Sequence, residues 1–203
     1  MTAVPADGRT ARRNRNLDAV LDAALELFAD GTLEPGAAEV AERSGVSLRS
    51  VYRYFDDTEA LLRAAITRNH EQLRPLFEIA GLDQGPLALR VERLVAGRLR
   101  LYEATAPMMR ASLRRAPSNE ILRTQLDKDL RALRRQVEAT FAGDLADRAE
   151  QDRDDALAAI DVLVSFGTFE HLRLSAGRST ADTTRAVTRA ILAVLRPDPP
   201  ASA

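Results

Sequence analysis

Apolar residues recur at three- and four-residue intervals along most of this chain, the spacing of one buried face of an α-helix. Leu17, Val20, Leu21, Ala24, Leu27 and Phe28 form such a stripe and predict a first helix over residues 16–29, closed by Gly31. Pro35-Gly36 opens a short second helix centred on Val40 and Ala41. Val51 and Phe55, four apart, mark the inner face of a third. Asp56 or Asp57 can cap a fourth, which runs through Leu61, Leu62, Ala65 and Ile66 until Pro75 disturbs it. Beyond Pro86 the pattern predicts helices over residues 87–104, 107–115, 120–141, 152–175 and 181–196, with Ser179 and Asp182 resembling a capping box before the last. No strand-like alternation and no internal repeat interrupt this, so the expected fold class is all-α. A disordered arm is expected over 1–12, a three-helix unit over 13–56, a larger helical domain over 57–196 and a disordered tail over 197–203.

Composition narrows the function only by exclusion. The chain has 203 residues, 45% hydrophobic and 29% charged, within the range of a soluble globular protein. The formal net charge is −1, so nucleic-acid binding must rest on local charge and not on the total. There is no cysteine, which removes disulfides, thiol catalysis and cysteine zinc sites; two distant histidines add no metal cluster. No metal and no cofactor is expected. No segment is apolar for long enough to span a membrane, and the first residues lack a signal core, so a cytoplasmic location is expected.

The chemistry concentrates in the stretch from Val40 to Phe55. Gly45 stands where two short helices must reverse, a position at which a left-handed backbone is cheap only for glycine. Ala41 is small enough for a close crossing, Val46 fills the corner and Ser47 is a good N-cap. At about 100° per residue, Val51 and Phe55 point inward while Arg49 and Arg53 point outward, flanked by Leu48, Ser50, Tyr52 and Tyr54. Two guanidiniums, hydroxyls and aromatic rims on one face suit guanine edges, thymine methyls and phosphates in a major groove. Arg9, Arg12, Arg13 and Arg15 add a basic cluster upstream, able to touch phosphates or a minor groove. Asp18, Asp22, Glu26 and Asp30 form an acidic row expected to be solvated.

These residues carry a resemblance. Residues 17–66, with Val40-Ala41, Gly45-Val46-Ser47, Val51-Tyr52-Arg53-Tyr54-Phe55 and Leu61-Leu62, resemble the DNA-binding part of the tetracycline-repressor (TetR) family. The resemblance implies a homodimeric regulator, usually a repressor, that sets two recognition helices on a pseudo-palindromic operator. It implies DNA-facing roles for Ser47, Leu48, Arg49, Ser50, Tyr52, Arg53 and Tyr54, with Arg13 as a contact from the basic cluster. Relatives often carry a lysine where this chain has Thr58, and threonines where it has Pro35 and Gly36. Both changes remove contacts that position the backbone, although the amides of Gly36 and Ala37 can still receive a phosphate.

For the C-terminal half the resemblance covers architecture only. It implies a small apolar or amphipathic effector held among the helices, which must favour the form that does not bind DNA. Candidate pocket residues are Phe77, Leu101, Tyr102, Met108, Met109, Leu113, Phe141, Phe166 and Phe169, with Arg98 and His171 as polar anchors. The last two helices are the dimer candidate, through Ile160, Leu163, Val164, Gly167, Val187, Ile191 and Val194, paired across a two-fold axis as a four-helix bundle. Two other readings compete. An all-helical enzyme would use acids such as Glu150, Asp152, Asp154 and Asp155, yet these open a helix, where carboxylates are expected anyway. A protein-interaction module would keep the DNA head only as a vestige.

Overall fold

The computed structural model describes residues 8–32 and 35–196, and every regular element among them is helical. In chain order these are α1 (Gly8–Ala29), α2 (Ala37–Ser44), α3 (Leu48–Tyr54), α4 (Thr58–Phe77), α5 (Leu87–Arg115), α6 (Glu120–Phe141), α7 (Glu150–Leu163), α8 (Phe166–Glu170) and α9 (Thr180–Val194). A 3-10 turn (Ala116–Ser118) joins α5 to α6, and a π turn (His171–Ser175) extends α8. Among the described residues, no helix is long and apolar enough to cross a membrane.

The chain divides into two compact units, and neither is a single stretch. The first comprises residues up to Arg74 together with Pro107–Arg123; the second comprises Pro75–Ala106 and the chain from Thr124 onward. The expected boundary near residue 56 is therefore corrected: α4 and the 107–123 segment belong with the head. The reason is packing. Leu61 and Ala65 of α4 close the core made by Val20, Leu21, Ala24, Val40, Val46 and Val51. Phe28 adds a small second cluster with Ala111 and Leu122, and Ile66 and Met108 lie against it.

Within the first unit the acidic row of α1 is not simply solvated, as the sequence suggested. Arg68 of α4 donates to Asp22 at 2.7 and 3.1 Å and to Asp18 at 2.8 Å. Arg43 of α2 lies 3.1 Å from Asp30 and 3.5 Å from Glu26. The four acids thus staple α1 to α4 and α2. Hydrogen bonding to Asp22 and to Asp30 raises the guanidinium pKa of Arg68 and Arg43, respectively.

The second unit buries Val91, Leu94, Val95 and Leu101 of α5, Val137 and Phe141 of α6, Leu145, Ile160 of α7 and Ile191 of α9. Arg90 clamps the end of α6 with two 2.7 Å bonds to Asp144 and a third to the Thr140 carbonyl. Arg148 donates to the carbonyls of Val194 (3.0 Å) and Arg196 (2.9 Å), placing a cation where the dipole of α9 is negative. Gly97 lies inside α5 because a Cβ there would stand 2.2 Å from the Ile79 side chain.

Several predicted boundaries move. α1 begins at Gly8, so residues 8–12 are helical and not part of an irregular arm, because the run of alanine and arginine after Gly8 favours helix. Residues 1–7 and the predicted tail 197–203 lie outside the described residues. Pro107 does not divide its helix: α5 runs unbroken from Leu87 to Arg115, held by buried Leu101, Tyr102 and Ala106 before the turn and Ala111 after it. The predicted helix over 152–175 is broken at Val164 and Ser165, because the Ser165 hydroxyl caps a new helix by accepting from the Thr168 amide at 3.2 Å. Caps at Asp57 (2.6 Å to the Ala60 amide) and Ser179 (3.1 Å to Asp182) lie where the sequence placed them, and Asn119 caps α6 at 3.0 Å to the Leu122 amide.

Candidate nucleic-acid interface

The head is built from the turn outward. Gly45 adopts a left-handed conformation (φ 67°) and stops α2, its amide donating to the Glu42 carbonyl. Buried Val46 fills the corner, and the Ser47 hydroxyl accepts from the Ser50 amide at 3.3 Å to start α3. Val51 is buried against Val40 and Ala41, and Phe55 is packed at the margin of the same core. With that inner face locked, the seven-residue α3 can turn only one face outward.

That face carries Ser47, Leu48, Arg49, Tyr52 and Arg53, all exposed, with Leu48 41% and Tyr52 60% accessible. Large apolar side chains so open to water on a short helix suit a surface that something else covers. Ser50 and Tyr54 are half-buried at the edges. The Ser47 hydroxyl donates to that of Ser50 at 3.0 Å, so the two are already coupled. Arg53 leans over the Tyr54 ring, 5.3 Å from its centroid, with a long 3.5 Å contact to the phenol oxygen. Among the described residues Arg49 makes no ion pair, which leaves its five donors for a partner. Arg13 is exposed near the start of α1, along with Arg12 and Arg15.

Gly36 is a correction. Its amide, expected to meet a phosphate, is occupied: the Glu39 carboxylate accepts from it at 2.8 Å. Glycine has no side chain to answer, so this is half of a capping box. It places a negative group at the N-terminus of α2, where a phosphate would otherwise be received.

The second unit holds a small cavity of about 240 Å³, counting its open mouth, lined by Val95, Arg98, Leu99 and Tyr102 of α5, residues 163–165, Thr168 and Phe169, and Thr183 and Val187 of α9. Of the candidate pocket residues, Arg98, Tyr102 and Phe169 come together here. Phe166 stands one ring away, 5.5 Å from Tyr102 and 5.9 Å from Phe169 between centroids. The others do not join them. Leu101 and Phe141 are plain core, Phe77 is half-buried elsewhere on α4, and His171 is exposed on the π turn. Met108, Met109 and Leu113 belong to the first unit, where Met108 packs near Phe28 and Leu113 is exposed.

Arg98 donates to the Gln136 side chain at 2.6 Å and to the Leu133 carbonyl at 2.8 Å, and its Nε has no partner. Burial lowers its pKa, partly offset by Tyr102 and Asp161. The Tyr102 hydroxyl donates to the Val164 carbonyl at 2.9 Å, and burial pushes its pKa up to about 12, so it stays a neutral phenol. The sequence reading missed Thr183 and Thr168. Thr183 was findable: it continues the 183–187–191 stripe of α9, where a hydroxyl interrupts an otherwise apolar face.

The dimer candidates also need correction. Ile160, Val164, Val187 and Ile191 are buried inside the protomer and have no surface left for a second copy. Leu163 and Val194 are half-buried. Gly167 sits exposed in the first turn of α8, where a Cβ would meet only Ser165 at 3.7 Å, so it is not a mid-helix crossing point. The exposed apolar residues of this region are Val162 (65%) and Leu174 (63%).

Among the described residues, α2 and α3 with the turn at Gly45 form a helix-turn-helix whose outer face is polar and arginine-bearing. Comparison with known proteins adds to this. Residues 20–65 match the model of bacterial regulatory proteins, tetR family. The HTH-type transcriptional regulator BetI of Escherichia coli O45:K1 (strain S88 / ExPEC) is 32% identical over 107 residues, 52% of this chain and 53% of that protein. BetI of Klebsiella pneumoniae (strain 342) is 32% identical over 104 residues, 50% and 52% of the two chains. The chain thus spans about half the length of the curated relatives it matches. Two solved structures share its fold at 22% identity. A tetR-family transcriptional regulator from Streptomyces coelicolor superposes with a TM-score of 0.67, over 90% of this chain and 82% of that one. A transcriptional regulator from Rhodococcus sp. Rha1 superposes with a TM-score of 0.65, over 90% and 95%. Residues 20–65 are thus similar to the DNA-binding part of tetR-family bacterial regulatory proteins.

Proposed function

We propose that this protein is a non-enzymatic transcriptional regulator, most simply a repressor, that binds a pseudo-palindromic operator as a homodimer and releases it when a small molecule occupies the C-terminal unit. The observation that carries the reading is the outward face of α3, where Arg49, Tyr52 and Arg53 are exposed on a helix whose inner side is anchored by Val51. Arginine donates bidentately to guanine in the major groove, and a tyrosine edge can touch a thymine methyl or a phosphate. Ser47 and Ser50 supply hydroxyls at the start of the same helix, and Arg13 supplies a charge from α1. The dimer would form over the outer side of α7 and the turn after α8, where Val162 and Leu174 are exposed. Such a protein works where its DNA is, in the cytoplasm.

The test is a fluorescence-anisotropy titration of the full chain against duplex DNA from upstream of its own gene and against a randomised pool, at several salt concentrations. Saturable binding that survives competitor DNA, with log affinity falling linearly in log salt, is the expected result. Absence of binding to both would leave the interaction-module reading and remove this one.

A further inference from the structure

The cavity of the second unit holds a buried cation that makes no ion pair, with Asp161 acting on it only through space. Arg98 is 2% exposed, and among the described residues no carboxylate comes within ion-pair distance of it. Its two hydrogen-bond partners are neutral, the Gln136 amide oxygen and the Leu133 carbonyl. Thr183, across the same cavity, is 0% exposed and its hydroxyl also lacks a partner. A charge taken out of water is ordinarily paired, and a buried hydroxyl is ordinarily hydrogen-bonded. Here two unsatisfied polar groups line one small space whose remaining walls are aliphatic and aromatic, among them Val95, Leu99, Phe169 and Val187.

We infer that this cavity receives a small monocarboxylate with an apolar body, its oxygens accepting hydrogen bonds from Arg98 and Thr183 and its body lying against Leu99, Phe169 and Val187. A carboxylate has the right sign for Arg98 and is acceptor-only, so it can take both unpaired hydrogens at once. A cation is excluded by the guanidinium. A neutral amide would satisfy the hydrogen bonds but leave the charge uncompensated. The enclosed space holds little more than a water or two, so the ligand must be small, a single ring or a short chain, and its entry requires the walls to part. The loss of basicity that burial imposes on Arg98 would be reversed by such a ligand, because an adjacent negative charge favours the protonated guanidinium. This inference rests on the effector-binding reading above and specifies the chemical class of the effector.

The experiment is a set of calorimetric and thermal-shift titrations of the full chain, without DNA, using benzoate, phenylacetate and hexanoate, each against its own amide. The carboxylates should raise Tm and bind about tenfold or more tighter than the amides. Arg98→Met should abolish that preference. Because Arg98 also ties α5 to α6 and its loss can unsettle the fold, Thr183→Val serves as a second, near-isosteric variant, expected to weaken acid and amide alike while the acid keeps its preference through Arg98. Equal binding of acid and amide, no binding of any of the three acids, or wild-type acid binding by Thr183→Val would each overturn the inference. The operator titration is run separately with and without benzoate. Carboxylate binding with unaltered DNA affinity would leave the site standing and refute its role as the effector site; loss of DNA binding in every condition would refute the regulator reading alone.

Discussion

The two candidate sites of this protein are built in opposite ways. The surface proposed to face DNA is convex and exposed, and it comes from one short run, Ser47 to Tyr54, at a single helix. The cavity is concave and half-open, and its walls come from three stretches far apart in the chain: residues 95–102, 163–169 and 183–187. In the head, polar groups are held out in water, where a partner replaces solvent. In the cavity they are held away from water, where a partner supplies what the fold leaves unpaired. The first arrangement favours a large, highly charged ligand met by many weak contacts. The second favours a small ligand chosen by one charge and a shape.

The difference predicts separable failures. The largest effect belongs to the paired change Arg49→Ala with Arg53→Ala. Each removes up to a bidentate base contact, so specific DNA affinity should fall by about two orders of magnitude or more. Both side chains are exposed, so Tm should hardly move. An unchanged affinity for the operator would show that the outward face of α3 is not the reading surface.

Next comes the cavity's own titration. An unfolded tyrosine loses its proton near pH 10, whereas Tyr102 in the fold holds its proton to about 12. Between those values the unfolded chain binds fewer protons than the folded one, so stability should fall as pH rises, by about 2 kcal/mol across the window. Tyr102→Phe should lose about 1 kcal/mol at neutral pH, through the unpaired Val164 carbonyl, yet decline less steeply above pH 10. Chemical denaturation of both proteins at a series of alkaline pH values checks this; parallel curves would mean that Tyr102 is not the titrating group.

The smallest expected effect sharpens the head. Glu39→Gln keeps the geometry at Gly36 but removes the negative charge from the start of α2. DNA affinity should rise by about two- to fivefold at low salt, with the gain fading as salt increases. A fall in affinity would place the N-terminus of α2 away from the phosphates.

Much of the head is legible in the amino-acid sequence, because its logic is local. Gly45 and Ser47 act through neighbours within about three residues, and helical periodicity alone puts Arg49 and Arg53 on the face opposite Val51. The caps at Asp57 and Ser179 are legible for the same reason. Pro107 misleads because its local preference to end a helix yields to burial of Leu101, Tyr102, Ala106 and Ala111 along α5. The dimer stripe misleads because periodicity marks a face as apolar without saying what covers it. Ile160, Val164, Val187 and Ile191 form a face that the protomer itself buries.

The sequence by itself determined the helical class, the turn at Gly45 and the side of α3 that meets solvent, since these follow from backbone preferences and a 3.6-residue period. Only the tertiary structure decided that the acids of α1 serve Arg68 and Arg43, that Glu39 occupies the Gly36 amide, and that Arg98 and Thr183 share a cavity. The last of these joins residues 85 positions apart, counted as 183 − 98. Ion pairing, desolvation and cavity shape depend on distances through space, and no periodicity along the chain encodes them.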